Sequence, residues 1–153
     1  MPVPVKPPRR PPPEEMPIMM LVNDLSRLFH NHMRAESERI GMQDGFRHLL
    51  FHLTQEDDLT QLELVRRTHL KAPTVSVALR RMEEAGLVVR TADPEDQRQI
   101  RVRLTGKGRE LDNRQREKIR EAEELFSRGL SEEEQQTLKA LLLHMRRNVL
   151  AGE

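Results

Sequence analysis

Arg80 and Arg81 stand side by side in a stretch that also holds Lys71, Thr74 and Ser76. Lysine and arginine neutralise phosphates, and hydroxyl and guanidinium groups hydrogen-bond base edges in a DNA major groove about 12 Å wide. Further on, Asp96-Gln97-Arg98 falls in turn-forming sequence. An arginine on a projecting turn can enter a minor groove, and a nearby aspartate can accept from its guanidinium and fix its direction. The bland reading of the same residues is a solvated basic face and a surface ion pair of little worth. A second group is built from histidines. His48 and His52 are four residues apart, which suits a two-point metal clamp on one helix face. With His32 and Arg47 they could instead hold an anionic or phenolic ligand, or they could be satisfied histidines near a subunit contact. No third and fourth zinc ligand is apparent, so no metal and no cofactor is assigned. No glycine-rich phosphate loop and no nucleophile–base motif occurs, so an enzyme is not expected.

Composition sets the frame for these groups. Hydrophobic residues make up 36% of the 153 and charged residues 33%. So polar a chain gains from burying surface against a second copy of itself. Net charge is +1, yet Gln61 to Arg103 holds nine Lys/Arg against six acids. A locally basic stretch in a near-neutral chain fits a nucleic-acid face. The absence of cysteine excludes disulfides, thiolate metal sites and thiol redox sensing. No apolar run is long enough to span a membrane and no signal peptide is visible, so the expected location is the cytoplasm.

The elements that must position these side chains can be read from spacing. Residues 1–17 hold eight of the ten prolines with Lys6, Arg9 and Arg10, and predict a disordered, basic arm. Ile18, Leu21, Val22, Leu25, Leu28, Phe29 and Met33 form a helical stripe that Gly41 ends. A second helix is expected over residues 43–53. Thr60-Gln61-Leu62-Glu63 is a capping box that opens a third helix, with Leu59 and Leu64 as its staple. A turn over 68–71 leads to a fourth helix from about Pro73 to Ala85, with Val75, Ala78, Leu79 and Met82 inward and Gly86 at its end. Residues 87–91 and 100–104 predict a two-stranded hairpin with a charged tip, and the alternation of the second strand puts Ile100, Val102 and Leu104 on the buried side. Two helices follow, from about Gly106 and from the capping box at Ser131. The last carries the stripe Leu138, Leu141, Leu142, Met145 and Val149. Two short helices, a tight turn and a β-hairpin make a winged helix-turn-helix. The fold class expected is mainly α with a small β wing (α+β): a winged helix-turn-helix lobe plus a helical region.

Asp93-Pro94-Glu95-Asp96-Gln97-Arg98, followed by Val102-Arg103-Leu104-Thr105-Gly106-Lys107-Gly108, resembles the wing signature of the MarR (multiple antibiotic resistance regulator) family. Leu59-Thr60-Gln61 through Glu83-Glu84-Ala85-Gly86-Leu87-Val88 is similar to that family's helix-turn-helix. The resemblance implies a homodimer held by residues 18–54 and 106–150, with the winged helix-turn-helix over 59–105, in a single domain of residues 18–150. It implies recognition helices in successive major grooves of a near-palindromic operator, with Arg98 in a minor groove and Asp96 orienting it. The DNA-facing set expected on α-helical positions is Thr60, Gln61, Lys71, Pro73, Thr74, Ser76, Val77, Arg80 and Arg81. At the wing it is Asp96, Gln97 and Arg98. A ligand-responsive repressor, released by a small lipophilic or phenolic effector, is the function implied. The alternatives are a winged-helix protein-interaction module without specific DNA binding and a metal-responsive regulator. The sequence departs from the family pattern in three places: Gln97 stands where a basic residue is common, His69 where glycine is common in the turn, and Ala72-Pro73 gives the fourth helix no strong side-chain cap.

Overall fold

Gly41 and Gly45 decide where the first two helices end and begin. In the computed structural model, which describes residues 10–152, α1 (Ile18–Arg39) closes with Gly41 at φ +82°. Its last carbonyls accept from Gly41 N–H (to Glu38 O, 3.1 Å) and Met42 N–H (to Ser37 O, 2.9 Å). This is the Schellman pairing that a left-handed residue permits. Gly45 sits at φ +89°, so α2 (Phe46–Gln55) starts after it. The expected start at residue 43 is therefore three residues too early, because a left-handed residue cannot lie inside a right-handed helix.

The capping box is present as read. Thr60 Oγ1 accepts from Glu63 N–H at 3.1 Å, and Glu63 Oε2 accepts from Thr60 N–H at 2.7 Å, opening α3 (Gln61–Thr68). The turn that follows passes through His69 at φ +56°, the left-handed position for which glycine is common. Then α4 (Ala72–Glu84) begins with Lys71 as N-cap and no side-chain cap, as its sequence predicts. It ends in a second Schellman pairing: Gly86 N–H to Glu83 O at 2.9 Å and Leu87 N–H to Met82 O at 2.8 Å.

The wing differs from a two-stranded hairpin. The short strand β1 (Leu59–Thr60) pairs with the far edge of β3 (Ile100–Leu104), while β2 (Val88–Ala92) pairs with its near edge. All pairs are antiparallel, with Leu59 opposite Val102 and Val88 opposite Leu104. Ile100 is exposed rather than buried, because it pairs with Ala92 at the open end of the hairpin, beyond the core. Val102 and Leu104 turn inward as expected. Chain order ends with α5 (Gly106–Phe126) and α6 (Glu132–Leu150).

One core unites the lobe. Phe46, Leu49, Leu50 and Leu53 of α2 pack with Leu64, Val75, Leu79, Met82, Val88 and Val102. Each such side chain contributes roughly 1.5–3 kcal/mol when fully buried. α1 packs along α5, Met33 of the first and Ala122 of the second are buried, and Phe29 lies edge-on to Phe126 at 5.6 Å. Of the proline-rich arm, residues 1–9 lie outside the described residues. Its described end is not a free tail: Pro13–Glu15 forms a turn of 3-10 helix, and Arg10 pairs with Asp24 of α1 at 2.7 Å.

Thr60 carries a first prediction. Thr60→Ala should lower stability by about 1–2 kcal/mol, the usual worth of such a cap, read as a shift in urea midpoint at unchanged slope. Its partner Glu63 adds a pH sign. The backbone N–H of Thr60, and then its hydroxyl, hold the Glu63 carboxyl below its ordinary value of 4.5. Thr60→Ala keeps the N–H and removes only the hydroxyl's share, which is whole above pH 4.5 and is lost as pH falls through the lowered folded value, so the deficit of the variant should narrow modestly in acid. A deficit that persists unchanged at low pH would contradict the assignment.

Candidate nucleic-acid interface

The structure sorts the nine basic residues of the 61–103 stretch into two groups. Four are held by carboxylates of the lobe itself. Arg67 pairs with Glu56 at 2.6 Å, and Arg90 with Glu83 at 2.8 Å. Arg101 pairs with Asp93 at 2.8 Å, and Arg103 with Asp58 at 2.9 Å. Among the described residues, Arg66, Lys71, Arg81 and Arg98 have no carboxylate partner, and Arg80 reaches Glu84 only at 3.9 Å. The uncommitted charge therefore lies at the end of α3, on α4 and at the wing tip. A simple count along the sequence overstates the free charge and misses this sorting.

On α4 the inward set is the predicted one: Val75, Ala78, Leu79 and Met82 are buried. Lys71, Pro73, Thr74, Val77, Arg80 and Arg81 are exposed, and Ser76 is half-buried. Threonine, valine and arginine at positions 74, 77 and 81 follow the three/four spacing of one helical stripe. The face thus combines a hydroxyl, an apolar group and a guanidinium. These are the three kinds of group that read base edges in a major groove.

Thr60 does not join that face. It is 6% exposed and its hydroxyl is committed to Glu63. Its part is to start α3, a correction to its expected DNA contact. The capping box was the stronger signal, and one hydroxyl cannot serve both tasks. Gln61 follows it, half-buried at the first residue of α3.

The wing tip is built by aspartates acting on backbone. Asp93 is 5% exposed and accepts Glu95 N–H at 2.8 Å and Arg101 Nε–H at 2.8 Å. The Glu95 N–H, and after it Arg101, hold the Asp93 carboxyl below the usual aspartate range. Asp96 accepts Arg98 N–H at 3.0 Å and weakly Gln99 Nε2–H. Its expected bond to the Arg98 guanidinium is absent. Asp96 instead fixes the backbone from which Arg98 projects, and leaves that side chain exposed with Gln97 beside it. A local turn forms at lower entropic cost than an ordered long side chain.

Residues outside the sequence-derived set brace the wing. Asp58, in the left-handed region at φ +63°, takes Arg103, and its carbonyl accepts from Arg101 at 2.8 Å. Arg103, and then Arg101, hold the Asp58 carboxyl low. Asp57 accepts Leu104 N–H at 2.9 Å and pairs with Arg109 of α5. These carboxylates tie β3 and α5 to the α2–β1 turn. The only signal in the sequence is the alternation of Arg101 and Arg103 on a half-buried strand, which asks for acidic partners somewhere.

The histidines have different surroundings. His32 lies edge-on to Phe126 at 6.2 Å between α1 and α5. On α2, burial first, then nearby Arg67 and the neighbouring His48 and His69, lowers the pKa of His52 below 6.5. Arg47 and His48 are exposed. Among the described residues no group of three or more metal-binding side chains is placed to hold an ion. A separate cleft of about 340 Å³ opens where the end of α1 and the start of α5 meet the end of α4. Ile40, Ala85, Leu87 and Leu111 line it, with Lys107, Glu110 and Arg114 at its edge.

Apolar surface is unevenly covered. Leu21, Leu25 and Leu28 of α1 are exposed, and α6 buries no residue at all, so Leu138, Leu141, Leu142 and Val149 stand in solvent. No helix of the described residues is long and apolar enough to cross a membrane.

A model of the MarR family matches residues 46–99. The uncharacterized HTH-type transcriptional regulator YdgJ of Bacillus subtilis is 33% identical over 110 residues, which are 71% of this chain and 66% of that protein. The chain thus spans just under two thirds of that relative's length. Among solved structures, a mutant of Staphylococcus aureus MepR superposes with a TM-score of 0.81 at 27% identity, covering 88% of this chain and 99% of MepR. Another MepR mutant, bound to an oligodeoxyribonucleotide, superposes with a TM-score of 0.71 at 28% identity and the same coverage.

Proposed function

The chain belongs to the MarR family, and from that premise we propose that it is a sequence-specific, double-stranded-DNA-binding transcriptional regulator that acts as a homodimer on a near-palindromic operator. One observation carries the reading. Within residues 61–103 the cations with no carboxylate partner, or only a distant one, lie at Arg66 of α3, on α4 and its N-cap Lys71, and at Arg98, while Arg67, Arg90, Arg101 and Arg103 are neutralised internally. A protein-interaction module would have no reason to keep phosphate-binding charge free on the two elements that enter DNA grooves.

The dimer is supported by the exposed leucines of α1 and α6. A helix such as α6, with a full apolar stripe and nothing over it, is stable only when that stripe is covered. A second copy supplies the matching surface by two-fold symmetry. Regulation by a small effector belongs to the same proposal. The cleft beside Ala85 and Lys107 has an apolar lining and a charged rim, and Lys107 Nζ donates to Ala85 O at the end of α4 at 2.7 Å. A lipophilic acid seated there would compete for Lys107 and disturb the recognition helix.

The experiment is selection of bound sequences from random duplex DNA with the full chain, followed by salt titration on the selected operator. The free protein should have twice its 17.9 kDa chain mass. Lys71, Arg80, Arg81 and Arg98 from each of two chains predict a log K against log salt slope of about −7. A flat salt dependence, or no enriched sequence, overturns the reading. Release of the operator by aromatic carboxylic acids in the same assay tests the effector; operator affinity indifferent to every such acid would remove that part alone.

A further inference from the structure

The exposed face of α4 carries a residue that the phosphate-binding argument does not use. Val77 is 41% exposed, whereas Val75, Ala78, Leu79 and Met82 on the same helix are between 0% and 8%. A β-branched apolar side chain at an exposed helical position weakens the helix slightly and covers nothing in this lobe. Its neighbours at three and four residues' distance are Pro73, Thr74, Arg80 and Arg81. Val77 thus sits at the centre of the stripe, with a hydroxyl towards the N-terminus of α4 and guanidiniums towards the C-terminus.

Resting on the DNA-binding reading above, we infer that Val77 reads the 5-methyl group of a pyrimidine in the major groove of each half-site. Among unmodified bases only thymine presents an apolar group there, and 5-methylcytosine presents the same one. Val77 has no hydrogen-bonding atom on its side chain, so its γ-methyls can discriminate only by apolar contact. Arg81 lies four residues on, about 6 Å along the helix axis, or roughly two base-pair steps. The half-site is therefore expected to hold a thymine within about two steps of a guanine read by Arg80 or Arg81. Burying one methyl against Val77 is worth about 0.8 kcal/mol, or roughly fourfold per half-site.

The test uses the full chain and the selected operator, with each thymine of both half-sites replaced in turn by uracil, which lacks only the methyl. For the unaltered protein, one position should weaken binding roughly fourfold per half-site, on the order of tenfold when both are replaced. For Val77→Ala, with unchanged dimer mass and melting temperature, the same replacement should have almost no effect. Cytosine at that position should bind weakly and 5-methylcytosine should restore part of the affinity to the unaltered protein alone. The inference is overturned if no thymine replacement matters, or if the loss is as large in Val77→Ala. Either result leaves specific DNA binding standing. Failure to select any duplex would strike the parent proposal instead.

Discussion

Arg98→Ala should cost on the order of a hundredfold in operator affinity while leaving the dimer mass and the melting temperature where they were. Arg98 is exposed, pairs with no carboxylate among the described residues, and projects from a tip whose backbone is fixed by Asp96 and Asp93. Such an arginine is preorganised for a narrow minor groove, where the negative potential is strongest. A specific contact of this kind is worth about 1–3 kcal/mol, and a two-fold dimer makes it twice. Arg98→Lys should recover part of the loss, because the charge remains while the planar fork is gone. The contrast with Arg101→Ala sharpens the test. Arg101 binds the buried Asp93 and the Asp58 carbonyl, so its removal leaves a buried carboxylate unpaired and should lower stability as well as affinity. If Arg98→Ala lowers stability or dissociates the dimer, Arg98 is part of the scaffold and the DNA role falls.

The difference between those two arginines was not legible in the sequence, and the reason is physical. What neighbouring residues settle among themselves could be read: the capping boxes at Thr60 and Ser131, the Schellman glycine Gly86, and the strand from Ile100 to Leu104 all depend on spacings of a few residues. The pairing of Arg103 with Asp58 spans 45 residues and that of Arg109 with Asp57 spans 52. Nothing in either local sequence names the partner. β1 is illegible on the same ground: two residues carry no period, and Leu59 becomes a strand only because the other edge of β3 lies beside it. Thr60 suits two duties by its type, and only its burial decides between them. The apolar stripe of α6 was legible, but its purpose lies outside one chain.

Gly108→Ala should destabilise the fold by about 3 kcal/mol, although helix propensity alone argues for a gain. Gly108 is in the first turn of α5, where alanine is preferred over glycine by roughly 0.5–1 kcal/mol. A Cβ at this position would meet the Leu87 carbonyl oxygen at 2.2 Å and Leu104 Cδ2 at 3.0 Å. The leucine side chain could move; the carbonyl cannot do so cheaply. Leu87 N–H is bonded to Met82 O, and Leu87 O accepts from Thr105 N–H at 3.0 Å. Thr105 Oγ1 donates to Gly86 O at 2.6 Å and also caps Gly108 N–H. The end of α4 and the start of α5 are thus joined backbone to backbone, and only the absence of a side chain at residue 108 lets them approach. Overpacking against such a contact costs about 1–3 kcal/mol or more, which outweighs the propensity gain. Gly106 is the control. It lies two residues earlier, a Cβ there meets nothing within 4 Å, and its φ is not positive. Gly106→Ala should therefore be neutral or raise the melting temperature by a few degrees, while Gly108→Ala lowers it by roughly 6–12 °C. Equal shifts of one sign would mean that backbone entropy, not the closeness of α5 to Leu87, governs this junction. The expected opposition gives the glycine of the Leu104-Thr105-Gly106-Lys107-Gly108 exit a structural reason. It holds α4 at a fixed distance from α5, the helix along which α1 packs.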